Sequence, residues 1–82
     1  MKLPRDLSGR DFTRLVRRFG YEIVRQEGSH IRLASNCKGK THHITIPDHD
    51  VLKVGTLTKA IQRIADYLEM EPSELRQTLF GS

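Results

Sequence analysis

Three strand-like segments joined by connections too short for a crossover leave this chain few ways to fold. Tyr21–Glu27 is rich in strand formers and ends at the turn Gly28-Ser29. His30–Ser35 follows, and the polar stretch Asn36-Cys37-Lys38-Gly39-Lys40 leads into Thr41–Ile46, which Pro47 stops. A parallel pair needs a crossover of about a dozen residues or more, so these connections predict an antiparallel meander. Alternation then assigns faces. Ile31 and Leu33 point to a core with His30 and Arg32 outward; Ile44 and Ile46 point inward with His42, leaving His43 and Thr45 outward. His30 and His43 are therefore expected on the open face of one sheet, provided the register does not slip by a residue.

Helical patterns flank the meander. Phe12, Leu15, Val16 and Phe19 recur at i, i+3, i+4, i+7, Ser8 and Asp11 form a capping signal, and Gly20 stands where a left-handed terminator is expected. That predicts a helix over about Gly9–Phe19. Leu57, Ala60, Ile61, Ile64, Ala65 and Leu68 form the wide stripe of a second helix, with Thr56 as its expected cap and Glu69 at its end. Ser73–Leu79 reads as a short third helix begun by a serine cap. The order α-β-β-β-α predicts an α+β sandwich over residues 1–82, a single domain with two helices on one face of a three-stranded antiparallel sheet and a short C-terminal helix added. Double-stranded-RNA-binding domains use the same order.

Charge narrows the function. Residues 1–40 hold ten Lys and Arg against four Asp and Glu, whereas residues 41–82 hold four against six. Arg10, Arg14, Arg17 and Arg18 lie on the first helix opposite its apolar stripe, and no acid shares that face. Such a face suits RNA phosphate or an acidic partner protein. No apolar run is long enough for a membrane span and no signal-peptide core follows Met1, which predicts a cytoplasmic chain without membrane contact. A single cysteine excludes an internal disulfide.

Few residues offer chemistry. There is no Gly-x-Ser-x-Gly elbow and no phosphate-binding loop. Cys37 lies in a polar loop with nothing fixed to lower its pKa. Cys37, His42, His43 and His49 match no usual zinc spacing, and adjacent strand histidines diverge. What remains is histidine on a basic surface. Imidazole titrates near neutrality and can shuttle the protons needed when an RNA 2′-hydroxyl attacks its own phosphate, while arginine stabilises the developing charge. His30 just after the tight turn, with Arg32 on its face and His43 as a candidate neighbour, makes a workable set. The residues alone stop at a small basic α+β domain that binds nucleic acid.

Three blocks carry more. Gly28-Ser29-His30, the stretch His43-Ile44-Thr45-Ile46-Pro47-Asp48-His49, and Leu52-Lys53-Val54-Gly55-Thr56-Leu57 opening a helix resemble, in order and spacing, the HicA/YcfA family of toxins from HicAB toxin–antitoxin systems. The resemblance runs from Ser8 to about Leu79. It implies a double-stranded-RNA-binding-like fold and a metal-independent mRNA endoribonuclease that blocks translation and needs no cofactor. It also implies that the catalytic histidine is His30 and that a HicB antitoxin covers the site. The Lys53 block matches the family's helix-opening signature, with a structural role and a phosphate contact as the lesser option. With the outward face of the sheet and the basic face of the first helix, the candidate RNA contacts are Ser29, Arg32, His43, Arg14, Arg17, Arg18 and Lys53, on single-stranded regions of mRNA; His43 falls where the family varies. A non-catalytic RNA-binding module using the same basic surface is the alternative.

Overall fold

The computed structural model describes residues 3–81. Its first element, α1 (Gly9–Val16), continues as a 3-10 turn over Arg17–Phe19. The capping box forms as expected: Ser8 Oγ accepts the Asp11 N–H at 3.0 Å and the Asp11 carboxylate accepts the Ser8 N–H at 3.5 Å. Replacing Ser8 with alanine should therefore cost about 1 kcal/mol. Thermal unfolding of the Ser8→Ala protein would read this as a midpoint lower by roughly 4–8 °C. Phe12 and Val16 are fully buried, and Gly20 takes the left-handed conformation, φ 83°, that turns the chain into the sheet.

The sheet runs β1 (Glu22–Glu27), β2 (His30–Ser35), β3 (His42–Pro47), antiparallel and in that spatial order. Tyr21, expected in β1, is instead turned wholly into the core. Ile31 pairs with Ile46 and Leu33 with Ile44, and all four are buried. They share one core with Phe12 and Val16 of α1 and with Leu57, Ala60, Ile61, Ile64, Ala65 and Leu68 of α2 (Val54–Leu68). The helices thus cover one face of the sheet. His30, Arg32, His43 and Thr45 stay exposed on the other. The result is the α+β sandwich of double-stranded-RNA-binding domains.

Two caps differ from expectation. Thr56 does not cap α2, which starts two residues earlier behind the extended Lys53. Leu52 is buried and its N–H is bound to the Leu7 carbonyl at 2.7 Å, so the loop is anchored there and the helix starts as soon as it is free to. Likewise α3 (Pro72–Phe80) starts at proline, not behind Ser73. Pro72 is the first helical residue, where its fixed φ suits the helix and its missing N–H leaves nothing unpaired. Leu75 and Leu79 of α3 bury into the same core. Among the described residues no helix is long and apolar enough to cross a membrane.

In β1 the pairing with β2 slips. Ile23 stands opposite Leu33, but Arg25 stands opposite Arg32, so Val24 is an extra residue in the strand. Simple alternation from Ile23 would turn Arg25 and Glu27 toward the helices. The bulge reverses this. Arg25 and Glu27 come to the open face opposite Arg32 and His30, and Gln26 goes to the helix side opposite Ile31.

Candidate active site

The open face holds a shallow depression of about 410 Å³ lined by Arg25, Glu27, His30, Arg32 and Thr45. Each side chain has a local reason to be there. Gly28, at φ 54°, closes the two-residue turn between β1 and β2 in a conformation that side chains disfavour. Glu27 and His30 close the hairpin as directly opposite residues. Such pairs bring their Cβ atoms to about 5 Å. The turn is also latched from outside, because the Ser29 carbonyl accepts the Asp48 N–H at 2.6 Å. Asp48 in turn holds Arg10 and Gln26, each at 3.1 Å from its carboxylate, and Gly9 donates to the His49 carbonyl at 2.9 Å. The start of α1, the end of β1 and the loop after β3 are thereby fastened behind the turn that carries His30.

Within the depression, Arg25 forms an ion pair with Glu27. Both side chains are well exposed, 70% and 64%, so the pair is worth less than about 1 kcal/mol. A phosphate can take the guanidinium over at little cost. Among the described residues the His30 ring has no hydrogen-bond partner, which leaves both nitrogens available to a substrate. Two arginines, an imidazole, a carboxylate and a hydroxyl at the mouth of an open sheet can bind a phosphodiester and move protons beside it.

The residues singled out from the sequence do not all meet here. His30 and Arg32 line the depression, and Ser29 borders it in the turn. His43 shares the face but stands opposite Ala34, four residues along β2 from His30. At about 3.3 Å per residue that is roughly 13 Å, so it is no neighbour of His30. Arg14, Arg17 and Arg18 belong to the helical layer on the far side of the sheet. Arg14 pairs with Asp11 at 3.1 Å, and Arg18 donates to the Thr78 carbonyl of α3 at 2.6 Å. Arg14 and Arg17, with Arg10, Thr13 and Ile23, border a groove of about 160 Å³ between α1 and β1. Lys53 is exposed at the start of α2, away from these pairs. Arg25 and Glu27 were missed. The available signal was Ile23-Val24, two adjacent apolar residues that break the period-two pattern where the bulge lies.

His42 belongs to a different cluster. Burial first, then Arg63 and His43, lowers its pKa, while burial, Cys37 and Tyr67 push the Tyr21 phenol up. The protonated phenol and Nδ1 of the neutral His42 ring share a hydrogen bond of 2.7 Å. The ring also stacks on Tyr67, centroids 4.8 Å apart. Tyr67 donates to the Lys40 carbonyl and accepts the Lys38 N–H at 3.1 Å, tying the second hairpin loop to α2. These contacts occupy His42 structurally. A cavity of about 470 Å³ lies here, bordered by His42 itself with Lys40, Thr41, Arg63, Asp66 and Tyr67.

A family model described as the HicA toxin of bacterial toxin-antitoxin systems covers residues 9–65, from the start of α1 to near the end of α2. No curated protein and no solved structure matches the chain.

Proposed function

Because this chain belongs to the HicA toxin family, the toxins of toxin–antitoxin systems, we propose that it is a metal-independent endoribonuclease acting on messenger RNA, with His30 as general acid or base. The observation that supports this most is the depression in which His30 stands beside the cross-strand pair Arg25 and Arg32. In RNA the 2′-oxygen attacks the adjacent phosphorus as the bond to the 5′-oxygen breaks. One proton must leave the 2′-hydroxyl and another must reach the departing 5′-oxygen. An imidazole handles either transfer at neutral pH. Arg25 and Arg32 straddle the phosphate and offset the charge that builds on its oxygens. The open sheet face suits an extended single strand, and the arginines between α1 and β1 extend the basic track around the sheet edge. The toxin's partner is an antitoxin, and a HicB-type protein laid over the His30 face would silence the enzyme by covering it.

The test is incubation of the purified protein with a long, largely single-stranded RNA in EDTA. The expected products carry 2′,3′-cyclic phosphate and 5′-hydroxyl ends, and DNA of the same sequence stays intact. RNA that is bound but uncut would instead indicate a non-catalytic binding module.

A further inference from the structure

We propose that Glu27 is the general base of this site, taking the 2′-hydroxyl proton while His30 acts as the acid. The proposal rests on the nuclease reading of the open face and extends it to the second proton transfer. One imidazole cannot accept one proton and deliver another in the same displacement, so a second group is needed. His43 is too distant along the strand and His42 is committed to Tyr21 and Tyr67. Glu27 is opposite His30 at the closing pair of the hairpin. It lines the same depression, and it reaches that face only through the bulge at Val24. Its ion pair with Arg25 keeps the carboxylate beside the guanidinium that a phosphate would engage.

The chemistry balances without any further reactant. The Glu27 carboxylate takes the proton of the 2′-hydroxyl as the 2′-oxygen forms its bond to phosphorus. The bond from phosphorus to the 5′-oxygen breaks, and the His30 imidazolium gives its proton to that oxygen. The products are a 2′,3′-cyclic phosphate and a 5′-hydroxyl, after which Glu27 and His30 exchange a proton with water to return to their starting forms.

The experiment is the pH dependence of kcat for cleavage of a short RNA by wild type, Glu27→Gln, Glu27→Asp and Arg25→Gln. Wild type should give a bell, rising as a carboxylate ionises and falling as an imidazolium loses its proton. Glu27→Gln should lower kcat by about a hundredfold or more and remove the rising limb. RNA affinity should hold within about twofold, because the loss falls on the transition state. Glu27→Asp should recover part of the rate together with the limb. Arg25→Gln should weaken RNA binding and keep both limbs. A Glu27→Gln protein that is slow but retains the rising limb would make Glu27 a positioning group for Arg25 and overturn the assignment. Unchanged kcat in Glu27→Gln overturns it too, while leaving His30 and the nuclease reading standing. A wild type that binds but does not cut removes both together.

Discussion

His30→Ala should lower RNA cleavage by about a hundredfold to ten-thousandfold and abolish growth arrest when the protein is expressed without its antitoxin. The magnitude is that of one proton transfer left to water. Folding should be untouched, because the His30 side chain is exposed, contributes nothing to the core and has no partner to orphan. Exposed positions of that kind change stability by no more than about 0.5 kcal/mol. The pairing of results carries the meaning: cleavage collapses, the thermal midpoint stays, and RNA affinity persists through Arg25 and Arg32. A variant that cuts as well as wild type would remove His30 from the chemistry altogether.

Gly9→Ala should be among the most damaging single changes in the molecule, although alanine is the better helix former. Propensity favours alanine by up to about 1 kcal/mol in a helix interior. Sterics oppose it more strongly. A Cβ on Gly9 would lie 2.1 Å from the Pro47 carbonyl oxygen and 3.3 Å from the Asp48 Cα. Neither obstacle is a flexible side chain. The backbones of α1 and the β3 end must separate, at a cost of about 3 kcal/mol or more. Unfolding by heat should show a midpoint lower by roughly 12 °C or more. The displacement also reaches the site, because Asp48 holds the Ser29 carbonyl and Gly9 holds the His49 carbonyl. Cleavage by Gly9→Ala, measured below its unfolding temperature, should therefore fall as well. A midpoint equal to wild type would show that the two segments separate freely.

Much of this architecture was legible in local patterns. The stripe of α2 buries the residues its spacing named, the first-helix stripe buries Phe12 and Val16 fully and Leu15 and Phe19 in part, and the alternation in β2 and β3 puts Ile31, Leu33, Ile44 and Ile46 inside. His30 and Arg32 came out on the open face for the same reason. What stayed hidden depends on neighbours rather than on a residue's own segment. A bulge is defined by the strand it pairs with; the adjacent apolar pair Ile23-Val24 marks a break in alternation, but the partner strand decides which face the residues after it take. Arg25 and Glu27 were therefore unassigned. Distances along a face also need a register, which is why His43 looked close to His30 and is not. The arginines of α1 formed a convincing stripe, yet a stripe does not say which side of the sheet its helix occupies. Serine and threonine ahead of a helical run look like caps wherever they fall. At Thr56 and Ser73 the anchoring of Leu52 and the geometry of Pro72 moved the start upstream.

At Val24 the sheet also ends. β1 has a strand on one side only, so its other side offers bare peptide groups on which a second copy could build, and Ile23 and Val24 are the kind of exposed apolar pair that seeds such stacking. A chain adding itself there has to match this strand residue for residue. The surplus residue breaks that match midway, and the charges of Arg25 and Glu27 follow directly behind it. A strand added at this border would lose its register at that residue, which disfavours fibril-like growth. One inserted amino acid thus works against the addition of a second copy at this edge of the sheet.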